Sequence, residues 1–275
     1  MNCKVVETTI VSWLKNQLDI TGQEGFVIGI SGGVDSALVS SLCAKTGYRT
    51  LLISMPIHQQ EIQLKRAHDH MRWLEQNFTH ILSMHIDLTE IFETFRKTFE
   101  NNISYNDLVM ANLRSRLRMI TLYAYSGTER FLVAGTGNKV EDYGVGFFTK
   151  YGDGAVDISP IGDLSKSQVW ELAKFVGVSE DIVKAKPTDG LWSDNRGDED
   201  AIGATYPELE WAISYCEIHP NEVSLEKDKM YVSNFAMSTL TPREKEVLKI
   251  YLQRHSSNQH KLNPIPICSI PKIIL

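Results

Sequence analysis

The residues best suited to chemistry form a short glycine turn, SGGVDS, at positions 31–36. Two adjacent glycines permit a tight turn whose backbone N–H groups converge on an anion, and the flanking serines add hydroxyl donors. The lysine of the common nucleotide loop GxxxxGK[ST] is missing, and Asp35 stands in the turn instead. A carboxylate beside phosphates requires a cation between them, so the turn predicts Mg²⁺ bound by Asp35. It suits pyrophosphate as a leaving group, with attack at the α-phosphate.

A simpler interpretation of the same turn is structural. Paired glycines also serve packing in strand-to-helix connections, and Asp35 is favoured in the first turn of any helix by the helix dipole. The hexapeptide, however, follows the apolar run FVIGI (26–30) and precedes a helix-compatible stretch. The complete motif between a strand and a helix favours an anion site at the start of that helix.

The elements that must position this turn follow an alternating pattern. Strand-like apolar runs occur at 26–30, 50–55, 80–86 and 130–136, separated by helix-compatible stretches. The first 19 residues predict an amphipathic helix, and a second long helix is expected from about 105 to 125. Short, nearly continuous apolar strands alternating with helices indicate an α/β fold with a parallel sheet covered on both faces. Ligands are then expected at the carboxyl ends of the strands.

The second half carries two well-marked helix starts. Ser165, with Gln168 three residues later, predicts a capped helix that ends at Gly177. Thr241, followed by Pro242 and Glu244, predicts another. The second segment resembles the start of a DNA-binding helix-turn-helix module, but the proline-rich residues after it cannot supply a recognition helix. A packing helix is the better interpretation.

Two stretches of this half predict irregular structure. Residues 184–206 are rich in Asp, Gly and Pro and have little periodicity. Long loops in compact domains are often lids, so the segment from Thr188 to Tyr206 is expected to close over the site when ligands bind. The tail from 260 to 275 contains three prolines and is expected to be extended. No linker or repeat divides the chain, so residues 1–275 are expected to form a single domain.

Composition limits the possible partners and location. The chain has 275 residues, 43% of them hydrophobic, and a net charge of -6 without a Lys/Arg-rich run, which argues against nucleic-acid binding. Its four cysteines are scattered without a CxxC pair, so neither a zinc site nor a disulfide framework is indicated. A reduced cytoplasmic protein is expected. No apolar run reaches membrane-spanning length, so no membrane partner is expected.

The SGGVDS turn resembles the signature of the ATP pyrophosphatases, and further motifs narrow the resemblance. These are ANLRSRLRM (111–119), GTGNKVE (135–141), GFFTKYGDGAVDISPIGDLSK (146–166), KPTDGLW (186–192) and His260-Lys261. In order and spacing they resemble the ammonia-dependent NAD synthetases over nearly the whole chain. The resemblance implies a Rossmann-like adenine nucleotide alpha hydrolase fold and a homodimer. It also implies amide formation, in which ATP adenylylates the nicotinate carboxylate of deamido-NAD and ammonia then displaces AMP.

The resemblance also implies roles for individual residues. ATP contacts are implied for Gly29, Ile30, Ser31, Gly32, Gly33, Val34, Asp35, Ser36, Thr136, Lys166 and Thr188. Deamido-NAD contacts are implied for Arg116, Lys150, Asp157, His260 and Lys261, some from a neighbouring subunit. Mg²⁺ ligation is implied for Asp35 and Glu141. Local cations of this kind suit a dinucleotide diphosphate in an otherwise acidic chain.

Asp153, in the glycine-bounded sequence KYGDG, is the candidate catalytic residue. Ammonia is mostly ammonium at neutral pH, and only the neutral form carries the attacking lone pair. A carboxylate attracts the cation and assists removal of its proton. The alternative is that Asp153 only shapes the turn.

Other functions remain open at this point. Another pyrophosphatase-type enzyme, such as a GMP synthetase-like amidotransferase or a tRNA-thiolating enzyme, would share the turn. Thiolation calls for reactive or paired cysteines and a basic RNA surface, and both are missing. A module that only senses ATP needs neither Mg²⁺ ligands from two strand ends nor a lid. Release of pyrophosphate on addition of deamido-NAD separates an enzyme from such a module.

Overall fold

The computed structural model describes residues 1–99, 106–188, 197–220, 222–226, 229–233 and 238–270. The helices are α1 (Cys3–Thr21), α2 (Val34–Ala44), α3 (Glu61–Asn77), α4 (Thr89–Phe99), α5 (Asp107–Glu129), a π-helix (Lys139–Val145), α6 (Lys166–Val176), α7 (Glu180–Val183), α8 (Asp198–Ile202), α9 (Tyr206–Ile218), α10 (Pro242–Ser257) and α11 (Gln259–Leu262). The strands are β1 (Gly25–Gly29), β2 (Arg49–Ser54), β3 (Ile81–His85), β4 (Phe131–Val133), β5 (Val223–Glu226) and β6 (Lys229–Val232).

Strands β1 to β4 form one parallel sheet in the order β3-β2-β1-β4. The chain builds outward from β1 to β2 and β3 on one side, then returns to place β4 on the other side of β1. This reversal leaves a crevice at the carboxyl ends of β1 and β4, where ligands bind in open α/β sheets. The glycine turn follows β1 directly, so the topology places it at this crevice.

Both faces of the sheet are buried at β1, β2 and β4, as the apolar strands predicted, whereas the edge strand β3 exposes Leu82 and Met84. Phe26 and Ile28 pack in a core with Leu38 of α2 and Leu172 of α6. Val27, which points to the opposite face, packs in a second core with residues of α4 and α5. Alternate residues of one strand therefore serve two cores, since successive side chains of a strand point to opposite faces. A third core joins α9, α10 and the π-helix.

The helix boundaries predicted from capping residues are confirmed. Helix α1 ends at Gly22, which has φ +66° and donates its N–H to Leu18 O. A capping box between Ser165 and Gln168 begins α6, and Gly177 ends it with φ +96°. Thr241 and Glu244 form the corresponding box at α10, with Pro242 in the first turn. Within the described ranges, no helix is apolar over a length that would cross a bilayer.

Two expectations of irregular structure were partly wrong. Within 184–206, α8 forms a short helix that Gly203 ends, and α9 begins at Tyr206. Of the expected lid, residues 189–196 lie outside the described residues. His260 and Lys261 lie in helix α11 instead of an extended tail, while 264–270 have no regular structure. Strand β4 is also shorter than the apolar run, because Ala134 already leaves it to bridge Ile158.

The contact between α2 and α3 generates a prediction about stability and pH. His70 is buried against Ser40, with 2.9 Å between Nε2 and Oγ, and burial lowers its pKa to about 4. The unfolded chain, with an ordinary histidine pKa near 6.5, binds this proton at a higher pH. The free energy of unfolding is therefore expected to fall as pH drops from about 6.5 to 4, by roughly 3 kcal/mol at most.

Equilibrium denaturation of His70→Gln across this pH range measures the effect. Gln removes the titration, so the pH dependence of its unfolding free energy is expected to be shallower by up to one proton. His68→Gln, a neighbouring residue on the same helix, serves as the control and should keep the slope of the original chain. Equal slopes for the two variants would assign the acid sensitivity to other groups.

Candidate active site

The glycine turn is held in shape by its own serines and by helix α3. Ser31 Oγ and Ser36 Oγ lie 3.1 Å apart, and Ser36 Oγ donates to Gly33 O at 3.0 Å. Gly32 has φ +85°, and a Cβ there would lie 2.4 Å from the backbone oxygen of Gln63. The turn therefore needs glycine at position 32 both for its backbone conformation and for its close contact with α3.

A polar cavity, here called the loop cavity, opens in front of this turn. It is lined by Ser31, Gly32, Gly33, Val34, Asp35, Ser36, Gln59, Gln63, Arg66, Thr136, Gly137, Glu141, Asp142, Phe147, Asp153, Lys166, Ile182, Ala185, Lys186, Pro187, Thr188 and Asp198. Gly33 is the N-cap of α2, so the free N–H groups of the first turn of that helix lie at the cavity. The positive end of a helix and a glycine turn together make an anion site.

A buried lysine connects the loop cavity to three elements of the fold. Lys166 begins α6, its side chain is only 2% exposed, and its Nζ donates to Asp35 Oδ2 at 2.7 Å and to Glu141 Oε1 at 2.8 Å. Burial lowers the pKa of the Lys166 ammonium, but the adjacent charges of Asp35 and Glu141 outweigh burial and raise that pKa above its usual range. The lysine is therefore a fixed positive charge in the wall of the cavity.

Tyr206 holds the other side of Glu141. Its side chain is fully buried, its hydroxyl donates to Glu141 Oε1, and the same hydroxyl lies 3.2 Å from Asp198 Oδ2. Lys166 Nζ lies 4.9 Å from the centre of the tyrosine ring. Burial and the charges of Glu141 and Asp198 raise the pKa of the phenol, so it stays protonated and keeps its donor. One phenol thus fixes the carboxylate and covers the lysine.

The π-helix brings two acidic residues to the same cavity. Its N-cap Asn138 accepts from Val140 N and Glu141 N through Oδ1 and donates from Nδ2 to Asp35 Oδ1 at 3.1 Å. Asp142 lies against Gly137, where a Cβ would meet its carboxylate at 1.7 Å. Burial, followed by the charges of Asp153 and its other acidic neighbours, raises the pKa of Asp142 well above its usual range. The cavity wall therefore carries an excess of acidic groups.

A second and more apolar cavity, the inner cavity, adjoins the first. Gly29, Ile30, Ser54, Met55, Arg118, Leu122 and Val133 are among the residues that line it. Both cavities include Ser31, Gln59, Thr136 and Asp153, so they meet at these four residues. Arg118 is held in place because its Nε donates to Met55 O at 3.0 Å. The pair of cavities offers a polar compartment beside an apolar one.

Asp153 lies at this junction and is fixed by two donors. Its Oδ1 accepts from Ser115 Oγ at 2.6 Å and from Thr149 N at 2.9 Å. Its own N–H donates back to Ser115 Oγ at 2.8 Å. The carboxylate thus has a structural role in its turn and also lines both cavities, so its geometry is compatible with both interpretations of the sequence.

The residues expected to bind deamido-NAD form a separate group. Arg116 donates to Lys150 O at 3.2 Å, and Lys150 Nζ donates to the backbone oxygen of His260. Lys261 Nζ donates to Gly146 O and Phe148 O, both at 2.8 Å. Hydrogen bonds link Arg116, Lys150 and His260, and Lys261 follows His260 in the chain. None of the four lines the loop cavity or the inner cavity.

Asp157 lies apart from this group. Its carboxylate accepts from Val133 N at 2.8 Å and from Tyr123 OH at 3.1 Å, and it lines a third cavity beside Gln23 and Arg130. Within the described part of the chain, its contacts are those of a residue that ties the loop after β4 back to the sheet.

Several residues of the site were missed by sequence reasoning. Asn138, Tyr206, Asp198 and Arg66 surround the predicted ligands, and three of the four carry no local signal of their own. Asn138 is the exception, since its position before the π-helix suits an N-cap. The others reach the site from elements far along the chain.

Comparisons with known proteins are consistent with this geometry. A model of the NAD synthase family matches residues 6–264. The chain belongs to this family. It is 39% identical over 213 residues to the NH(3)-dependent NAD(+) synthetase of Mycoplasmopsis pulmonis, covering 76% of this chain and 79% of that protein.

Solved structures give the same result at the level of the fold. The NMN synthetase of Francisella tularensis matches with a TM-score of 0.79 and 30% identity, covering 99% of both chains. The NH3-dependent NAD synthetase of Campylobacter jejuni matches with a TM-score of 0.76 and 23% identity, covering 98% of this chain and 100% of that one. The expected adenine nucleotide alpha hydrolase fold of the NAD synthases is thereby confirmed.

The carboxylates of the NAD synthase site are compatible with Mg²⁺. Asp35 and Glu141 each place an oxygen within 2.8 Å of the same Lys166 nitrogen, so their carboxylates converge. Among the described residues, no group of three metal-ligating side chains occurs. Mg²⁺ commonly takes one or two carboxylates and completes its octahedron with phosphate oxygens and water. The donor set therefore fits Mg²⁺ bound together with a phosphate ligand.

Gly32→Ala tests whether the shape of the turn is needed for nucleotide binding. The alanine must adopt φ near +85° and its Cβ would meet Gln63 O, so the turn is expected to shift and ATP affinity to fall by at least tenfold. Gly47→Ala is the matched control, because Gly47 has φ +82° but no atom within 4 Å of a Cβ.

Calorimetric titration with ATP and thermal unfolding of both variants give the answer. Each variant is expected to lose about 1–2 kcal/mol of stability from the left-handed backbone. Only Gly32→Ala is expected to lose ATP affinity. If the two variants bound ATP equally well, the contact between the turn and α3 would have no role in binding.

Proposed function

We propose that this chain aminates deamido-NAD in an ATP-dependent reaction that forms NAD, the last step of NAD biosynthesis. The carboxylate of the nicotinate attacks the α-phosphorus of ATP, and pyrophosphate leaves with the electron pair of the broken P–O bond. Ammonia then attacks the acyl carbon of the adenylate, AMP leaves, and the nitrogen loses a proton. The observation that carries this proposal is the shared loop cavity of the glycine turn, the start of α2 and the Lys166-Asp35-Glu141 cluster.

The two cavities match the two halves of ATP. The apolar wall of Ile30, Met55, Leu122 and Val133 suits the adenosine. The triphosphate then extends into the loop cavity, where backbone N–H groups of the turn and of α2 face it. Ser31 and Thr136 lie in both cavities and are therefore placed beside the α-phosphate, where the bond is broken.

Lys166 and the carboxylates of Asp35 and Glu141 have different roles at the phosphates. The ammonium of Lys166 is fixed by two carboxylates and stabilises negative charge that develops on the reacting phosphate. We infer that Asp35 and Glu141 are the Mg²⁺ ligands. When bound, the ion neutralises phosphate charge and orients the triphosphate. Tyr206 and Asn138 keep the two carboxylates aimed at the cavity.

Free ammonia is the nitrogen source that the chain's own chemistry favours. Hydrolysis of glutamine by a cysteine nucleophile requires a thiolate, and thus a lowered pKa. Burial instead raises the pKa of Cys43, and it raises the pKa of Cys216 to about 11. Asp153, at the junction of the cavities, is proposed to attract ammonium and to assist removal of its proton.

We also propose an assembly state and a location for the protein. A homodimer is supported by apolar side chains exposed on α4 and α5, namely Ile91, Phe95, Leu108 and Ile120. Exposed apolar side chains mark subunit interfaces where they cluster. The deamido-NAD group of Arg116, Lys150, His260 and Lys261 lies outside the two cavities, which suits a substrate that extends toward a neighbouring subunit. A cytoplasmic location stays a prediction.

A second candidate substrate is nicotinic acid mononucleotide. The structural match to the NMN synthetase of Francisella tularensis covers 99% of both chains at 30% identity. A mononucleotide carries the same nicotinate carboxylate, so the same adenylylation and ammonia transfer would form NMN. The two candidates differ only in whether the site also holds the second nucleotide.

One assay separates these functions. The purified chain with ATP, Mg²⁺ and ammonium is given deamido-NAD or nicotinic acid mononucleotide, and NAD or NMN is followed together with AMP and pyrophosphate. We expect equal amounts of NAD, AMP and pyrophosphate, a higher kcat/KM for the dinucleotide, and little product with glutamine. A higher kcat/KM for the mononucleotide would favour the second candidate, and no product from either would reject both.

Asp153→Asn separates the catalytic role from the structural one. Asn keeps an oxygen that accepts from Ser115 and Thr149 but loses the charge, so the turn is expected to persist. Adenylate formation, measured as pyrophosphate exchange into ATP, should continue. Ammonia transfer, measured as NAD formation, should slow by roughly a hundredfold or more.

Asp163→Asn is the control for this experiment, since Asp163 is an exposed residue of a nearby loop. It is expected to leave both rates unchanged. If Asp153→Asn behaved like the control, Asp153 would only shape its turn. If Asp153→Asn lost both pyrophosphate exchange and NAD formation, Asp153 would be assigned to ATP binding instead.

A further inference from the structure

Among the described residues, the loop cavity contains a cation, Arg66, for which the proposed mechanism gives no role. Arg66, on α3, lines the cavity opposite the glycine turn. Its Nε is buried and has no hydrogen-bond partner among the described residues. Because Nε is closed off and unpaired, a ligand in the cavity would be met by the terminal nitrogens of the guanidinium.

The position of Arg66 is set by the same contact that fixes the turn. Gln63 and Ala67, one turn apart on α3, approach Gly32 so closely that a Cβ there would lie 2.4 Å from Gln63 O and 3.2 Å from Ala67 N. Arg66 lies between these two residues in the sequence and three positions after Gln63, so it shares the helix face that meets the turn. The backbone of Arg66 is thus held beside the turn, and its side chain lines the cavity.

The charges of the cavity favour a role for this arginine. Five carboxylates line the cavity, those of Asp35, Glu141, Asp142, Asp153 and Asp198, against three cations. Two of the cations are already paired: Lys166 with Asp35 and Glu141, and Lys186 with Asp200 at 2.7 Å. A triphosphate entering this cavity meets a net negative wall. Within the described residues, Arg66 is the cation of this cavity that is left to meet it.

We propose that Arg66 is a substrate-contacting residue that binds the pyrophosphate portion of ATP, through its β- and γ-phosphate oxygens, and holds it as the leaving group. The role of Arg66 with a leaving group rests on the proposed function. Its binding of phosphate does not, because that binding can be measured without the reaction. A guanidinium presents a planar fork of N–H donors that matches phosphate oxygens, and it remains charged at all working pH values. The pyrophosphate portion is the part of ATP that the turn holds, and Arg66 faces that turn.

The test compares binding of three ligands, ATP, inorganic pyrophosphate and AMP, by calorimetric titration with Mg²⁺ present. Arg66→Ala is expected to weaken ATP and pyrophosphate roughly ten- to hundredfold, the effect of one charged hydrogen bond. AMP, which lacks the contacted phosphates, should bind within about twofold of the original affinity. Arg66→Lys keeps the charge without the fork and should give an intermediate loss.

Arg72→Ala is the matched control on the same helix. Arg72 is exposed and lies 3.6 Å from Asp69, away from the cavity, so its removal should change none of the three affinities. Thermal unfolding without ligand adds a second readout. Since Arg66 Nε has no partner to lose, Arg66→Ala should unfold at or above the temperature of the original chain, whereas a structural arginine would lower it. Arg66→Gln, which keeps a long polar side chain, replaces the alanine variant if that variant does not fold.

The outcomes distinguish this inference from the proposed function. If Arg66→Ala bound ATP and pyrophosphate as Arg72→Ala does, the inference would be wrong whatever the reaction is. An equal loss of AMP binding would also overturn it, because the residue would then act on the nucleotide as a whole. If the original chain aminated neither substrate but pyrophosphate binding still depended on Arg66, the proposed function would fail and the arginine would keep its role.

Discussion

The ion pair network of Lys166 is the interaction on which the site depends. A fully buried ammonium is tolerated only with compensating charge, and Asp35 and Glu141 supply it at 2.7 and 2.8 Å. The three residues belong to α6, α2 and the π-helix, and Tyr206 adds α9 through Glu141. Breaking such a pair by removing one partner commonly costs about 3–5 kcal/mol, because a buried charge is left alone. The network therefore locks four elements around the crevice between β1 and β4.

The ion pair network of Lys166 also explains why the site is acidic although its proposed ligands are anions. Carboxylates hold the lysine and are proposed to bind a magnesium ion, and the remaining cations would then balance the phosphates of the proposed ligand. Backbone N–H groups of the turn and of α2 contribute positive potential without adding a titratable group. The excess of carboxylates also makes phosphate binding depend on a cation. In the proposed function, the nucleotide would therefore enter the polar compartment together with its metal.

Helix α3 contributes more than a cover for the sheet. Its close packing on Gly32 leaves no space for a side chain at that position, and the same packing brings Arg66 to the cavity. The packing of α3 on the turn therefore sets both the shape of the turn and the position of Arg66. His70, two turns from Gln63 on α3, is buried against Ser40 of α2 and keeps the two helices together. The contacts of α3 with α2 and with the turn therefore affect both the stability of the fold and the binding of ligands.

The sequence alone determined the features that depend on neighbouring residues. The four strands of the parallel sheet, the capping boxes at Ser165 and Thr241, the glycine helix end at Gly177 and the SGGVDS turn are local patterns, because backbone hydrogen bonds and side-chain periodicity act over a few residues. From these, the parallel sheet and the place of the site could be predicted. The short helix at Asp198–Ile202, in a stretch poor in periodicity, could not. The antiparallel pair β5 and β6 was not predicted.

Only the tertiary structure decided which side chains meet. Lys166 lies 131 positions from Asp35, Tyr206 lies 65 from Glu141, and Asp153 lies 38 from Ser115, so no local pattern links these partners. No local pattern marks Arg66 as a site residue either, because in the sequence it is one of several charged residues of an amphipathic helix. The burial of its Nε, which has no partner among the described residues, follows from the packing of the folded chain. Local forces in the sequence specified the elements, and long-range packing and charge pairing specified the site.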